Sequence, residues 1–287
     1  MNLVETLASG QPDAWPAARF EAAVDRVAEA LRVGGTRVLA TLLDNGIAWL
    51  VADAGAARAG VVHVPLPGFF TRGQLQHALV AAGVDTLWTV PAAAAGFPGA
   101  PSELFSFDAD ADADAEPIAA LRLPAVPVAM PAGTVKLTFT SGTTGTPKGV
   151  CLGQAAMDRV AQAIGEATAA LDITRHLSAL PFAVLLENIA GVMASRLREA
   201  TCIALPLESV GLQGSSRFDP ARLQDAVESW QPHSLILLPQ MLRAWTMWLR
   251  TTGRRAPASL RLVAVGGAAV GAPLLQSARE LGIPAFE

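Results

Sequence analysis

The 287-residue chain has no tyrosine, only two cysteines and few charges. The lack of tyrosine has no evident physical cause. Charged residues make up 16% and aromatic residues 6%, against 52% hydrophobic residues, so a sizeable core is affordable and global disorder is excluded. Cys151 and Cys202 cannot staple a small fold and do not sit at metal-ligand spacing. Both lie beside predicted strands and are expected to be buried, reduced thiols, which suits a cytoplasmic setting. His63, His77, His176 and His233 share no ligand-like spacing, so no metal site is expected from them. A net charge of −4, spread along the chain, gives no basic stripe for nucleic acid. No uninterrupted run of about 18 apolar residues is present, so no spanning helix is predicted. The first residues lack the basic-then-apolar layout of a signal peptide.

What the chain does have is Ala, Val and Leu in short runs, the texture of strands buried on both faces. Phe20, Val24, Val27 and Leu31 fall at helical spacing and predict a helix over 17–32. The run Arg37 to Leu43 predicts a strand, and Asp44-Asn45-Gly46 turns the chain. A helix through Trp49, Val51 and Ala56 ends near Gly60, and Val61 to Val64 forms the next strand. Thr71 and Gln74 have the form of a capping box opening a helix that reaches about Ala82. Asp85 to Val90 returns as a strand.

From Pro91 to Thr134 the texture turns to Ala, Pro and Asp, including the acidic run Asp108 to Glu116. That run lacks the turn glycine and terminal glutamate of a calcium loop and reads as solvated. The expected organisation is a first α/β subdomain over 1–90, a connecting loop over 91–134, and a second α/β subdomain over 135–287. In the second, strands are predicted at Val135–Thr140, Leu177–Leu180, Cys202–Leu205, Leu235–Leu238 and Leu262–Val265. Helices are predicted near 154–169, 186–197, 220–230, 240–251 and 272–281. Asp219 followed by Pro220 reads as a helix cap. Trp230, Trp245 and Trp248 read as core anchors. Alternation without a hairpin signal predicts an α/β fold of largely parallel sheets with helices on both faces.

The stretch LTFTSGTTGTPKGV, Leu137 to Val150, carries the chemistry. Gly142, Gly145 and Gly149 let a backbone approach a ligand closely. The hydroxyls of Thr140, Ser141, Thr143 and Thr144, with successive backbone N–H groups, can surround phosphate oxygens. Lys148 adds a mobile positive charge. The Walker pattern is not met, but the order and spacing resemble the phosphate loop of the adenylate-forming superfamily. That superfamily contains acyl-CoA synthetases, firefly luciferase and peptide-synthetase adenylation domains. Further stretches resemble it in the same order: Trp49 to Pro67, Leu180-Pro181-Phe182-Ala183, Pro232 to Leu242, and Val265-Gly266-Gly267-Ala268. Together they span about Arg37 to Glu287.

The resemblance implies a two-step ligase. A carboxylic acid, expected to be an acyl chain, attacks ATP to give acyl-AMP and pyrophosphate. A thiol, that of CoA or an acyl carrier protein, then displaces AMP. By motif position, Thr140 to Thr144 would hold the β- and γ-phosphates and Thr140 would also lie near Mg2+. Lys148 would balance charge on the leaving pyrophosphate. Gly266, Gly267 and Ala268 would form a flat wall for adenine, and Phe182, Val184 and Glu187 would fall in the substrate pocket. Two departures stand out. Val184 occupies the place where many relatives carry histidine, and Glu187 reads either as a pocket residue or as an early helix residue. The chain also stops at Glu287, where the family pattern continues into Y-G-x-[ST]-E and a small lysine-bearing domain. A truncated, inactive fragment of a ligase of fatty acid metabolism is the expectation. The alternatives are an amino- or aryl-acid adenylation domain loading a carrier protein, and a non-catalytic nucleotide-binding module.

Overall fold

The computed structural model describes residues 3–6, 12–98, 103–106, 117–140, 147–214 and 217–287. By contact density the chain divides into two compact units, one of residues 6–158 and one of residues 1–5 with 159–287. The expected boundary at 134–135 differs from this division. The physical reason is that the strand after 134 pairs into the first sheet, as described next. Two short strands open the chain, β1 (Leu3–Thr6) and β2 (Pro12–Trp15).

In the first unit, α1 (Ala17–Val33) buries Phe20, Val24, Val27 and Leu31, the stripe read from their spacing. It packs on α2 (Ile47–Ala59), where Gly55 removes the side chain that would collide with Val27: a Cβ there would lie 2.2 Å from Val27 Cγ1. Between them runs β3 (Val38–Leu42), and Gly60 ends α2 in the left-handed region at φ +73°. Next come β4 (Val62–Pro65), α3 (Arg72–Ala81) and β5 (Thr86–Thr89). The Thr71–Gln74 capping box is formed in both directions.

The supposed connecting loop contains structure. It holds α4 (Pro91–Ala94), β6 (Glu103–Phe105) and β7 (Ile118–Arg122). Ile118, Ala119 and Leu121 are buried, an apolar pattern masked in the sequence by the surrounding Ala and Pro. The acidic run 108–116 lies outside the described residues. Then β8 (Thr134–Thr140) and β9 (Lys148–Gly153) pair antiparallel as a hairpin. No hairpin was expected, because its connection is a long glycine- and threonine-rich loop rather than a two-residue turn. The sheet order is β6-β7-β5-β3-β4-β8-β9. Its centre is parallel, and the antiparallel pairs lie towards the edges.

In the second unit α5 (Gln154–Ala167) leads to β10 (Arg175–Leu177). The helix predicted over 186–197 begins as a π-helix, Leu186–Met193, and finishes as α6 (Ala194–Leu197). After β11 (Thr201–Ile203) come the small antiparallel pair β12 (Leu212–Gln213) and β13 (Arg217–Phe218), then α7 (Pro220–Trp230), capped by Asp219. The unit closes with β14 (Ser234–Leu237), α8 (Pro239–Thr252), β15 (Leu262–Val265), α9 (Ala272–Glu280) and β16 (Ala285–Phe286). Its sheet runs β16-β15-β14-β10-β11-β1, every described pair parallel. The core gathers Leu177, Leu235, Leu237, Leu242, Trp245 and Val263, each such side chain adding roughly 1.5–3 kcal/mol on burial. Trp245 is fully buried and donates to Gln224 Oε1 at 2.8 Å, whereas Trp230 and Trp248 are half-buried.

Strand order in this sheet fixes where a ligand can enter. From β10 the chain adds β11 on one side, then crosses to place β14, β15 and β16 on the other. The order therefore reverses between β10 and β14. In open parallel sheets the loops part at such a point and leave a crevice at the carboxyl ends of the strands.

Candidate functional site

The first unit presents the hairpin. Thr140 and Lys148 are register partners at its loop end, and both are exposed. Ser141, Gly142, Thr143, Thr144 and Gly145 lie outside the described residues. Lys148 is the first residue of β9, so its backbone is held by the ladder while its side chain is free to reach solvent-side ligands. His77 on α3 braces the same end: its Nε2 lies 3.0 Å from the carbonyl of Pro147, and its ring meets that of Phe139 edge-on. At Gly149 a Cβ would sit 3.1 Å from Leu137 Cδ2, which favours glycine there.

Beneath the hairpin lies a buried charged cluster that spacing arguments missed. Asp53 on α2 takes Lys136 Nζ of β8 at 2.9 Å and His63 Nδ1 of β4 at 2.6 Å. His63 Nε2 in turn meets the Thr41 hydroxyl at 2.8 Å. His63 and Lys136 are register partners on neighbouring strands. Burial pushes the Asp53 carboxyl up, but Lys136 and then His63 outweigh it, and the group rests well below the usual carboxylate range. Burial pulls His63 below its ordinary value despite the pull of Asp53 in the other direction. A neutral ring that donates from Nδ1 to Asp53 accepts at Nε2 from Thr41. The available signal was one charge inside an apolar element: Asp53 in α2 and Lys136 in β8.

The second unit presents the crevice. Ser178, Ala179 and Leu180 follow β10 and are buried, and Pro181-Phe182-Ala183-Val184 turns back into the π-helix. Phe182 is buried, while Val184, Leu185 and Leu186 are half-buried. Gly266, Gly267 and Ala268 follow β15 at the same strand ends. Gly267 takes φ +88°, and both it and Ala268 are exposed. Leu186 packs against Gly266, where a Cβ would come within 3.2 Å of its Cδ2. The structure thus brings the Leu180–Leu186 segment and the Gly-Gly-Ala turn together through Leu186 and Gly266.

Glu187 is a different matter. It is fully buried, with Oε1 at 2.8 Å from His176 Nε2 and Oε2 accepting from the Leu180 N–H at 3.2 Å. With both oxygens engaged it does not face a pocket. Cys202 is buried and its thiol is pushed up to about 12 by burial, whereas Cys151, expected to be buried, is half-buried. Among the described residues no cluster of three His, Cys, Asp or Glu could hold a metal, and no helix is long and apolar enough to cross a membrane.

A sequence profile of the AMP-binding enzyme family matches residues 10–286. No curated protein matches the chain in sequence. Among solved structures, O-succinylbenzoate coenzyme A synthetase (MenE) from Bacillus subtilis, in complex with AMP, aligns with TM-score 0.70 at 22% identity, over 99% of this chain and 55% of that one. The N-terminal domain of FACL13 from Mycobacterium tuberculosis gives 0.72 at 20% identity, over 99% and 70%. A long-chain-fatty-acid-CoA ligase (FadD1) from Archaeoglobus fulgidus gives 0.75 at 16% identity, over 98% and 58%. The chain therefore spans a little over half the length of MenE and of FadD1. With a profile match that runs almost from end to end, the chain belongs to the AMP-binding enzyme family, the adenylate-forming ligases.

Proposed function

We propose that the chain serves the activation of a hydrophobic carboxylic acid by ATP, giving acyl-AMP and pyrophosphate, with transfer to a thiol of CoA or a carrier protein. The observation that carries this reading is the reversal of strand order, flanked on one side by the half-buried Val184, Leu185 and Leu186, with Phe182 buried beside them, and on another by the exposed Gly267-Ala268 surface. A purine ring needs a flat wall without side chains, and this turn supplies one. An acid carrying an amino group would need a carboxylate to meet that cation. The segment after Pro181 is apolar through Leu186, and Glu187 is already paired, which favours an acyl chain over an amino acid.

Thr140 and Lys148 are the described residues we assign to the phosphates, with Ser141, Gly142, Thr143, Thr144 and Gly145 between them. Phosphoryl and adenylyl transfer demand positioning and charge neutralisation more than covalent help, and a lysine anchored by a strand ladder provides both. Magnesium, when bound, would neutralise phosphate charge. Thr140 offers it a hydroxyl.

The test is carboxylate-dependent exchange of labelled pyrophosphate into ATP, with fatty acids set beside aryl acids and amino acids. Fatty acids are expected to support exchange best, and K148A is expected to weaken ATP binding by about tenfold in calorimetry. In the intact protein, ATP binding without exchange by any acid would leave a non-catalytic module. Exchange driven only by amino acids would make the chain an amino-acid adenylation domain.

A further inference from the structure

We propose that Glu187 is a positioning residue of the acid-binding crevice, acting through His176, Ser234 and the Leu180 amide without touching substrate. The inference rests on the crevice reading above and deepens it. His176 and Ser234 are register partners on β10 and β14, the two strands between which the order reverses. Their side chains meet across that seam, Nδ1 to Oγ at 2.9 Å. Glu187 comes down from the π-helix and closes the set, one oxygen on His176 Nε2 and the other on the backbone N–H of Leu180. All three side chains are at least nine-tenths buried. A fully enclosed acid, imidazole and hydroxyl set with each polar atom paired fixes geometry strongly, since any break strands a buried group.

The fixed geometry is that of the crevice wall. Leu180 is the last residue before Pro181-Phe182, and Pro181 has no N–H with which to anchor itself. The next anchors are the Val184 N–H to the Pro181 carbonyl at 2.9 Å and the Asn188 N–H to the Val184 carbonyl at 3.0 Å. Glu187 therefore ties the start of the turn to the helix that forms its end. Its neighbour Leu186 is the side chain packed on Gly266, so the same residue sets the spacing between the apolar segment and the Gly-Gly-Ala wall. The π-helix makes room for this. A Cβ at Gly191 would fall 2.2 Å from Glu187 Oε1 and 2.7 Å from His176 Nε2, and wide turns of this kind are frequent at functional sites.

Glutamine can keep these bonds. Its carbonyl accepts from Leu180, and its amide donates to Nε2 once the ring proton moves to Nδ1 and bonds the Ser234 oxygen. Alanine cannot. The experiment compares E187A, E187Q and S234A with wild type in the intact protein, reading KM for acid and for ATP in pyrophosphate exchange, and hydrogen exchange of the Leu180 amide. E187A is expected to raise the acid KM by about tenfold, leave the ATP KM within about twofold, and speed Leu180 exchange at least about tenfold. E187Q is expected to stay within about threefold of wild type on all three, with S234A between the two. E187A with an unchanged acid KM, equal shifts in both KM values, or E187Q as impaired as E187A would each overturn the proposal. Should E187A fail to fold, the E187Q and S234A results decide it. A wild-type protein without exchange activity would refute the functional reading, and the amide-protection arm would still decide whether Glu187 holds the turn.

Discussion

Two enclosed carboxylates, Asp53, largely buried in the first unit, and Glu187, fully buried in the second, solve the same problem in different ways. Both sit on a helix above a parallel sheet and both meet a histidine whose other nitrogen reaches a hydroxyl, Thr41 for His63 and Ser234 for His176. Asp53 adds a lysine, Lys136, and its side chain remains about one-fifth exposed. Glu187 adds a backbone N–H and is sealed completely. A cation holds a carboxylate by long-range attraction that tolerates small movements. A backbone N–H holds it by direction, over a short range. The first arrangement suits the footing of the β8–β9 hairpin. The second suits a contact that fixes a single geometry.

Substitutions can break this contrast, the largest effect first. K136M should cost about 3 kcal/mol in denaturant unfolding, because it strands a largely buried carboxylate. Adding D53N to it should recover part of the loss, since the stranded charge is gone. If the double variant is less stable than K136M alone, attraction is not what the lysine contributes. G191A comes next, at about 2 kcal/mol, since the new methyl group overlaps Glu187 and His176 inside a closed site. A loss under about 0.5 kcal/mol would show that the sealed cluster yields as easily as a surface position.

The smallest effect concerns pH. A histidine held below its ordinary value stabilises the fold fully above that value, about 6.5, and the contribution is lost as pH falls through the folded value. His63 is of this kind. Asp53, also lowered, contributes above the ordinary carboxylate value of about 3.9 and loses that contribution at more acid pH. Acid should therefore destabilise the protein in two stages, and H63Q should flatten the upper one. Thermal melts of wild type and H63Q from neutral pH to pH of about 5 provide the check. Parallel profiles would remove His63 from the account.

Much of the fold was legible because its signals are local. The stripe of α1, the Thr71–Gln74 box, the Asp219-Pro220 cap and the apolar runs of β14 and β15 each follow from neighbouring residues. The strands β6 and β7 were hidden because pairing, of β7 with β5 and of β6 with β7, makes them strands rather than composition. The stretch Leu137 to Val150 was read as a phosphate-loop motif but not as a hairpin, since its closure depends on the β8–β9 ladder. The order of the Leu180–Leu186 and Gly266–Ala268 segments was legible along the chain, and the fold sets Leu186 against Gly266. The clusters around Asp53 and Glu187 were not legible, for each joins residues brought together only by strand register and by a helix packed on the sheet. Glu187, read as a pocket residue or an early helix residue, is fully buried with both oxygens hydrogen-bonded.

Gly191 and Glu187 occupy one volume between them. A lineage that enlarges residue 191 must first surrender the acid, and one that keeps the acid must keep the glycine. In a set of homologous sequences the two positions should therefore change together, with intermediates carrying one change alone scarce. Counting such intermediates would read out, across natural variants, how tightly this wall constrains its own history.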